Sequence, residues 1–390
     1  RLDERTAEEV PDDAYSFVRE AIKDCDDLTI AILYCLANTK TGWLHEIQLE
    51  KLKGILREEG FEGDGSYRGI LSSSGNSFGL GHEIWKDVLL FWDIEEPEAL
   101  SRIRSYDVES LVREACERSI NRLKKLRASS AAELAKRALE NFPEMGKRVF
   151  EEAVNDERGD RRDLVLDVVA IHSPEVLEEL SIEKVEELVN RIKEAPNAKI
   201  KLYGRLVDHY RSISREDERY LPDLATSLNK LGNALFKKGI LNDSIKYHEE
   251  ALEIYRSLPR RDERVLPDLA RTLDNLGAAL CKKGILDDSI KYHEEALKIR
   301  RLLAERDERF LPDLAMTLNN LGNALSDKGM LDDAIKYYEE ALKIYESLSR
   351  RDEKFLFYLA AILNNLGLAL YDKGILNDSI KYHEEALEIY

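Results

Sequence analysis

The sequence predicts an all-α chain whose C-terminal half is a solenoid of stacked helical hairpins. Two features predict it. The chain repeats at 45 residues: Gly232, Gly277, Gly322 and Gly367 form one series, and Gly239, Gly284, Gly329 and Gly374 a second. Leu-Pro-Asp-Leu-Ala starts at Leu221, Leu266 and Leu311, and Tyr-His-Glu-Glu-Ala-Leu starts at Tyr247, Tyr292 and Tyr382, with one change from Tyr337. Within a unit the apolar residues keep helical spacing, as Leu224, Leu228, Leu231 and Leu235 share one helix face.

Each unit reads as two helices. Pro222 suits the first turn of the first helix, where its missing N–H is not needed. Gly239 suits the end, because glycine takes a left-handed C′ conformation without strain. Asn242, Asp287, Asp332 and Asn377 stand where N-caps of the second helix are expected. That helix would bury Ile245, His248, Ala251, Leu252 and Tyr255. Gly232 and Ala251 are small where the two helices should cross.

Leu231-Gly232, Ala251 and the aromatic slot at Tyr338 resemble the small-and-large signature of the tetratricopeptide repeat (TPR). The long unit and the string Leu-Asn-Asn-Leu-Gly, at 318–322 and 363–367, are similar to the extended TPRs of kinesin light chains. The resemblance covers about Glu216 to Tyr390 and implies a superhelical solenoid with a concave groove. Ile200-Lys201 and Tyr210-Arg211-Ser212 lie 45 residues before Ile245-Lys246 and Tyr255-Arg256-Ser257. Residues Ala198 to Ser214 therefore read as the second helix of a degenerate unit whose first is Ile182 to Lys193. The expected division is 1–97, 98–196 and 197–390, the last being the solenoid.

Composition bounds the rest. With 390 residues, more than one compact unit is expected. A net charge of −18 repels phosphate backbones and argues against a nucleic-acid partner. No stretch approaches the about 18 apolar residues that cross a bilayer, so no membrane partner is expected. Cys25, Cys35, Cys116 and Cys281 show no metal or redox spacing, which suits isolated thiols in a reducing cytoplasm. Gln48 is the sole glutamine, a bias that suits a thermophile. The absence of an initiator Met, together with an end inside a periodic pattern, leads us to expect a piece of a longer protein. Ile380 and Leu387 would then lie on an uncapped end able to self-associate.

In such a solenoid the first helices line the groove. One stripe there is neither core nor convex: Thr226, Asn229, Asn233 and Lys237, then Arg271, Asp274, Ala278 and Lys282. It continues through Met316, Asn319, Asn323 and Asp327 to Ala361, Asn364, Leu368 and Asp372, with Lys230, Asn275, Asn320 and Asn365 beside it. Asparagine disfavours helix interiors, since its side chain competes for backbone hydrogen bonds. Repeated asparagines can pair with the backbone of an extended ligand, or can bond between neighbouring helices and hold the superhelix. Both readings stand at this stage. TPR co-chaperones resemble the first at the places of Asn233, Asn275, Asn320 and Asn365, but carry lysine where this chain has Asn229. The candidate groove is Asn229, Asn233, Lys237, Arg271, Asn275, Lys282, Asn319, Asn320, Asn323, Asn364 and Asn365. Lys237 and Lys282 against Asp327 and Asp372 give it a charge gradient.

No cofactor, metal or catalytic set is predicted. His248, His293 and His383 recur at the core slot that Tyr338 fills, so packing explains them better than ligation, and the two-histidine helix of a zinc hydrolase is missing. Before residue 98, helices are expected at Tyr15 to Ile22, Leu28 to Leu36 and Leu44 to Leu56, then a Gly/Ser stretch, Gly60 to Gly81, and a helix from His82 to Phe91. That outline is winged-helix-like, and Ser77 to Trp85 resembles the end of the winged-helix region of STAND signalling ATPases. Gly60 to Gly69 lacks the Gly-Lys-Ser/Thr of a phosphate loop. An arm of helices follows at Asp107 to Leu126, Ala131 to Asn141, Lys147 to Asn155 and Asp163 to Ile171. The expected function is a protein- or peptide-binding TPR sensor of a STAND-type signalling protein, with a non-switching scaffold as the alternative and an enzyme site at Gly60 to His82 as a third.

Overall fold

A computed structural model of the chain describes residues 22, 25–65, 72–74, 77–79, 89, 97–258 and 265–389. The expected helices Tyr15 to Ile22 and His82 to Phe91 lie almost wholly outside these residues. The chain divides into two compact units, Arg1–Lys201 and Leu202–Tyr390.

In the first unit, α1 (Asp27–Ala37) starts on Asp26, whose carboxylate accepts the Thr29 N–H at 2.7 Å. The expected helix Leu44 to Leu56 is corrected. Trp43–His45 form a strand, β1, and helix α2 (Glu46–Glu58) begins only after it. The reason is a capping box: the His45 N–H donates to Gln48 Oε1 at 2.7 Å, and His45 Nδ1 accepts the Ile47 N–H at 3.1 Å. Gln48 is buried by this role. Strands β2 (Ser72–Ser74) and β3 (Ser77–Gly79) complete an antiparallel sheet in the order β1-β3-β2, with Leu44 opposite Phe78.

Helices α3 (Glu98–Arg104), α4 (Val108–Ile120), α5 (Ala128–Asn141), α6 (Gly146–Val154), α7 (Gly159–His172), α8 (Glu175–Glu178) and α9 (Ile182–Arg191) follow. The helix expected over Asp107 to Leu126 stops at Ile120 and gives way to a 3-10 turn at Leu123–Lys125. Two carboxylates, one buried and one half-buried, pin the end of this unit. Asp163 accepts the Lys193 and Glu194 N–H groups at 2.7 and 2.8 Å, and Asp167 accepts those of Asn197 and Ala198. The last two are unpaired donors in the first turn of α10 (Pro196–Ile213), which α7 satisfies from outside the helix.

In the second unit four hairpins follow α10: α11 (Leu221–Lys237) with α12 (Leu241–Ser257), α13 (Leu266–Lys282) with α14 (Leu286–Arg306), α15 (Leu311–Asp327) with α16 (Leu331–Ser349), and α17 (Leu356–Asp372) with α18 (Leu376–Ile389). Each first helix ends on a left-handed glycine, with φ between 78° and 84° at Gly239, Gly284, Gly329 and Gly374. In the first hairpin the Gly239 N–H reaches Phe236 O and the Ile240 N–H reaches Leu235 O, a Schellman closure repeated at the other three.

That closure corrects the N-cap expectation. The turn is so short that Ile240, Ile285 and Met330 become the N-caps, with no side-chain cap bond. Asn242, Asp287, Asp332 and Asn377 fall inside the first turn. Asp287 and Asp332 there favour the positive helix end and pair with Lys328 and Lys373.

The two helices of a hairpin meet where a glycine faces a ring. Ideal Cβ atoms built at Gly232, Gly277, Gly322 and Gly367 would lie 2.6–2.9 Å from the nearest ring atoms of His248, His293, Tyr338 and His383. Ser244, Ser289 and Ser379 donate to the carbonyls of Gly232, Gly277 and Gly367, each at 2.8 Å. Between hairpins, Leu318, Leu321, Leu342 and Tyr345 share one buried cluster with Leu363 and Leu366. One segment, Glu353–Asp372, is long and apolar enough to cross a membrane by length and composition, contrary to the sequence expectation. It holds the place of α11, α13 and α15 in the repeat pattern, and Leu363, Leu366 and Leu370 are buried in that shared cluster.

Candidate functional site

The groove stripe lies on α11, α13, α15 and α17, and the structure sorts its asparagines into three kinds. Asn229 is buried, 1% exposed, and its Oδ1 accepts Asn275 Nδ2 at 3.1 Å. Asn319 Oδ1 accepts Asn365 Nδ2 at 2.8 Å in the same way two hairpins on. These four side chains bond laterally between neighbouring first helices.

Asn323 is shared. Its Oδ1 accepts the Tyr338 hydroxyl at 2.7 Å and lies 3.3 Å from Asn365 Nδ2, which leaves its own amide donors outward. Asn233, Asn320 and Asn364 form the third kind and make no hydrogen bond among the described residues.

Asn320 is open for a specific reason. The lateral pattern would send its amide to residue 274, which is Asp274 rather than asparagine. That carboxylate is buried and already engaged: Oδ1 lies 3.0 Å from His293 Nδ1, and Oδ2 accepts the Thr317 hydroxyl at 2.6 Å. Residue 274 therefore stabilises the core histidine of its own hairpin and releases Asn320. The first hairpin has no such carboxylate. Asn229 takes its place, both ring nitrogens of His248 are buried without a partner among the described residues, and burial lowers that imidazole to about 4.

A cavity of about 590 Å³ opens over α13, α15 and α17. Asn320, Asn323 and Asn365 face it, beside Ala278, Leu368, Lys282, Asp327 and Asp372. Cys281, His293, Ser326 and Tyr338 also line it. The repeat alignment placed His293 and Tyr338 in the core, and only the packing shows their edges reaching the cavity. The Cys281 thiol donates to Asp327 at 3.3 Å, and burial with that carboxylate pushes it up to about 11, so it stays protonated at neutral pH.

The predicted cations are differently placed. Arg271 pairs with Asp268 at 2.6 Å, Lys282 Nζ sits 4.9 Å from the Phe236 ring centroid, and Lys237 is exposed at the end of α11. Lys237 and Lys282 close α11 and α13, where a cation suits the negative helix end. Asp327 and Asp372 close α15 and α17, where a carboxylate opposes it by about 0.5 kcal/mol each.

Among the described residues no group of three or more His, Cys, Asp or Glu side chains could hold a metal ion. Of the glycines before β2, Gly65 is tied to acid, its N–H donating to Asp26 at 3.4 Å. His82 lies outside the described residues.

Stacked hairpins whose first helices line one groove define an α-solenoid. The repeat itself is a tetratricopeptide repeat: one family model so described matches residues 223–301 and 268–347, and a second such model matches 359–390. A comparison with curated proteins returns no match. Among solved structures, BtubC (BKLC) from P. vanneervenii is 23% identical, with 50% of this chain and 74% of that chain covered at a TM-score of 0.41. The nearly identical TPR-like repeats of a protein assigned as a kinesin light chain in Podosopora anserina are 15% identical, covering 63% and 95%, also at 0.41. The apo form of RapI is 15% identical, covering 73% and 76% at 0.38.

Proposed function

We propose that this protein acts by binding, without catalysis, and that the groove of α11, α13, α15 and α17 holds an extended peptide or protein segment in the cytoplasm. The observation that carries this is the set of asparagines that the scaffold leaves unused. Asn233 and Asn320 each offer a donor and an acceptor, the pair of functions that a peptide group needs. The double substitution Asn233→Ala, Asn320→Ala removes no internal hydrogen bond among the described residues. Stability should therefore change by less than about 0.5 kcal/mol. Captured partners should be lost at least about tenfold in a pull-down compared with wild type. Undiminished capture by the variant would sink the proposal.

Two finer readings share this groove. In a STAND-type signalling protein it would be the sensor, with 1–97 as a winged-helix-like module and 98–196 as an arm. The antiparallel sheet β1-β3-β2 beside α2 supports that reading. In a scaffold the groove would act alone. Hydrogen exchange separates them, since a sensor's ligand changes protection in the first unit and a scaffold's does not.

Self-association through the last hairpin is also proposed. Ile380 and Leu387 are 56% and 73% exposed, while Leu252, Leu297 and Leu342, the counterparts of Leu387, are buried. The substitutions Ile380→Asp and Leu387→Asp should abolish any concentration-dependent dimer in sedimentation. A species that stays monomeric in the wild type at high concentration refutes it.

A further inference from the structure

We infer that the cavity over α13, α15 and α17 selects a peptide segment with an arginine or lysine two residues from an apolar side chain. This rests on the peptide-binding reading above and names what the groove prefers.

The charge argument comes first. Asp327 and Asp372 end adjacent first helices and face one cavity. Each adds its charge to the negative end of a helix, against the local preference that Lys237 and Lys282 satisfy in the hairpins before. A position that opposes its own helix, twice and in the same direction, has a use outside the helix. Among the described residues neither carboxylate has a cationic partner: Asp327 receives only the Cys281 thiol. Among the described residues Lys282 is the one cation on the cavity wall, and it is drawn onto the Phe236 ring instead. The open charge is therefore negative, in a concave wall that focuses it.

The apolar argument is separate. Leu368 is 49% exposed on the cavity wall, at the place where α11 and α15 carry Asn233 and Asn323. A leucine there gains by covering with another apolar side chain. On the same wall stand Asn320 with a whole carboxamide free, Asn323 with its donors free and Asn365 with its acceptor free. They match the alternating N–H and C=O groups of an extended backbone. In such a backbone residues i and i+2 point the same way, about 7 Å apart, so one contacts Leu368 while the next meets the carboxylates.

The test uses the full chain and two fluorescein-labelled peptides, Gly-Ser-Leu-Ser-Arg-Ser-Gly and the same peptide with glutamate for arginine. In fluorescence anisotropy at low salt, the arginine peptide should bind about tenfold tighter or better, and the gap should shrink as salt rises. The double substitution Asp327→Lys, Asp372→Lys should reverse the preference. It installs the lysine that the first two hairpins already carry, so the thermal midpoint should not fall, and a lost preference then cannot be blamed on unfolding. Equal affinity for the two peptides, or a preference untouched by the double substitution, overturns the inference and leaves the groove a peptide site. Binding of neither peptide up to about 1 mM also overturns it. The groove reading is then decided by the Asn233/Asn320 comparison.

Discussion

Replacing Gly322 by alanine is expected to lower the unfolding free energy by about 3 kcal/mol, the upper range for overpacking a filled core. An ideal Cβ on Gly322 would sit 2.6 Å from Tyr338 Cε1 and 2.8 Å from Cδ1. Neither side can yield cheaply. Tyr338 is 2% exposed, and its hydroxyl is held by Asn323. Relief must come from separating α15 from α16, which loosens the buried cluster around Leu318, Leu321 and Leu342.

Gly329→Ala is the control. Its φ of +83° disfavours a side chain, but nothing lies within 4 Å of the added Cβ, so about 1 kcal/mol is expected. Chemical denaturation compares the two. Pairing Gly322→Ala with Tyr338→Leu should recover part of the loss, because the smaller side chain makes room. Equal costs for the two glycines, or no recovery in the pair, would show that the helices do not cross at Gly322 as described.

Replacing His248 by tyrosine is expected to raise stability by about 1–2 kcal/mol at neutral pH and by more in acid. His248 fills a slot where neither ring nitrogen has a partner among the described residues. Tyr338 fills the equivalent slot in the third hairpin and bonds to Asn323, 15 residues earlier. The residue 15 before His248 is Asn233, so a tyrosine there finds the same acceptor.

The pH dependence follows from the same burial. The folded imidazole is lowered to about 4 from an ordinary 6.5, so the folded state disfavours protonation. Above 6.5 both states are neutral and nothing is lost. Between 6.5 and 4 the unfolded chain takes the proton first, and stability falls by about 3 kcal/mol over that window. The tyrosine variant lacks this loss, so the gap between the two proteins should widen from pH 7 to pH 4.5. A constant gap across that range would mean the His248 ring is solvated or paired.

These two sites show how far the residues could be read in one dimension. The glycine and ring slots share a 45-residue register, and the small-against-large pairing is visible from spacing alone. Histidine in three slots and tyrosine in one read equally as core. That His293 is paired and His248 is not could not be read, because the difference lies in residue 274 against residue 229, one helix across. The asparagine stripe was similarly ambiguous. Position on a helix face put Asn229 and Asn233 together, yet a neighbouring helix covers the first and leaves the second open. The start of α2 is hidden in the sequence because a histidine and a glutamine three residues apart make an uncommon capping box.

By itself the sequence determined the repeat, its helix pairs, the glycine closures and the face that forms the groove. These depend on interactions within one unit, where spacing along the chain fixes spacing in the helix. Only the tertiary structure decided which asparagines hold the stack and which are free, why Asn320 is released, and that Asp327 and Asp372 meet in one cavity. Those outcomes depend on side chains about one repeat apart, brought together by the rise and rotation between hairpins, and no local pattern encodes that geometry.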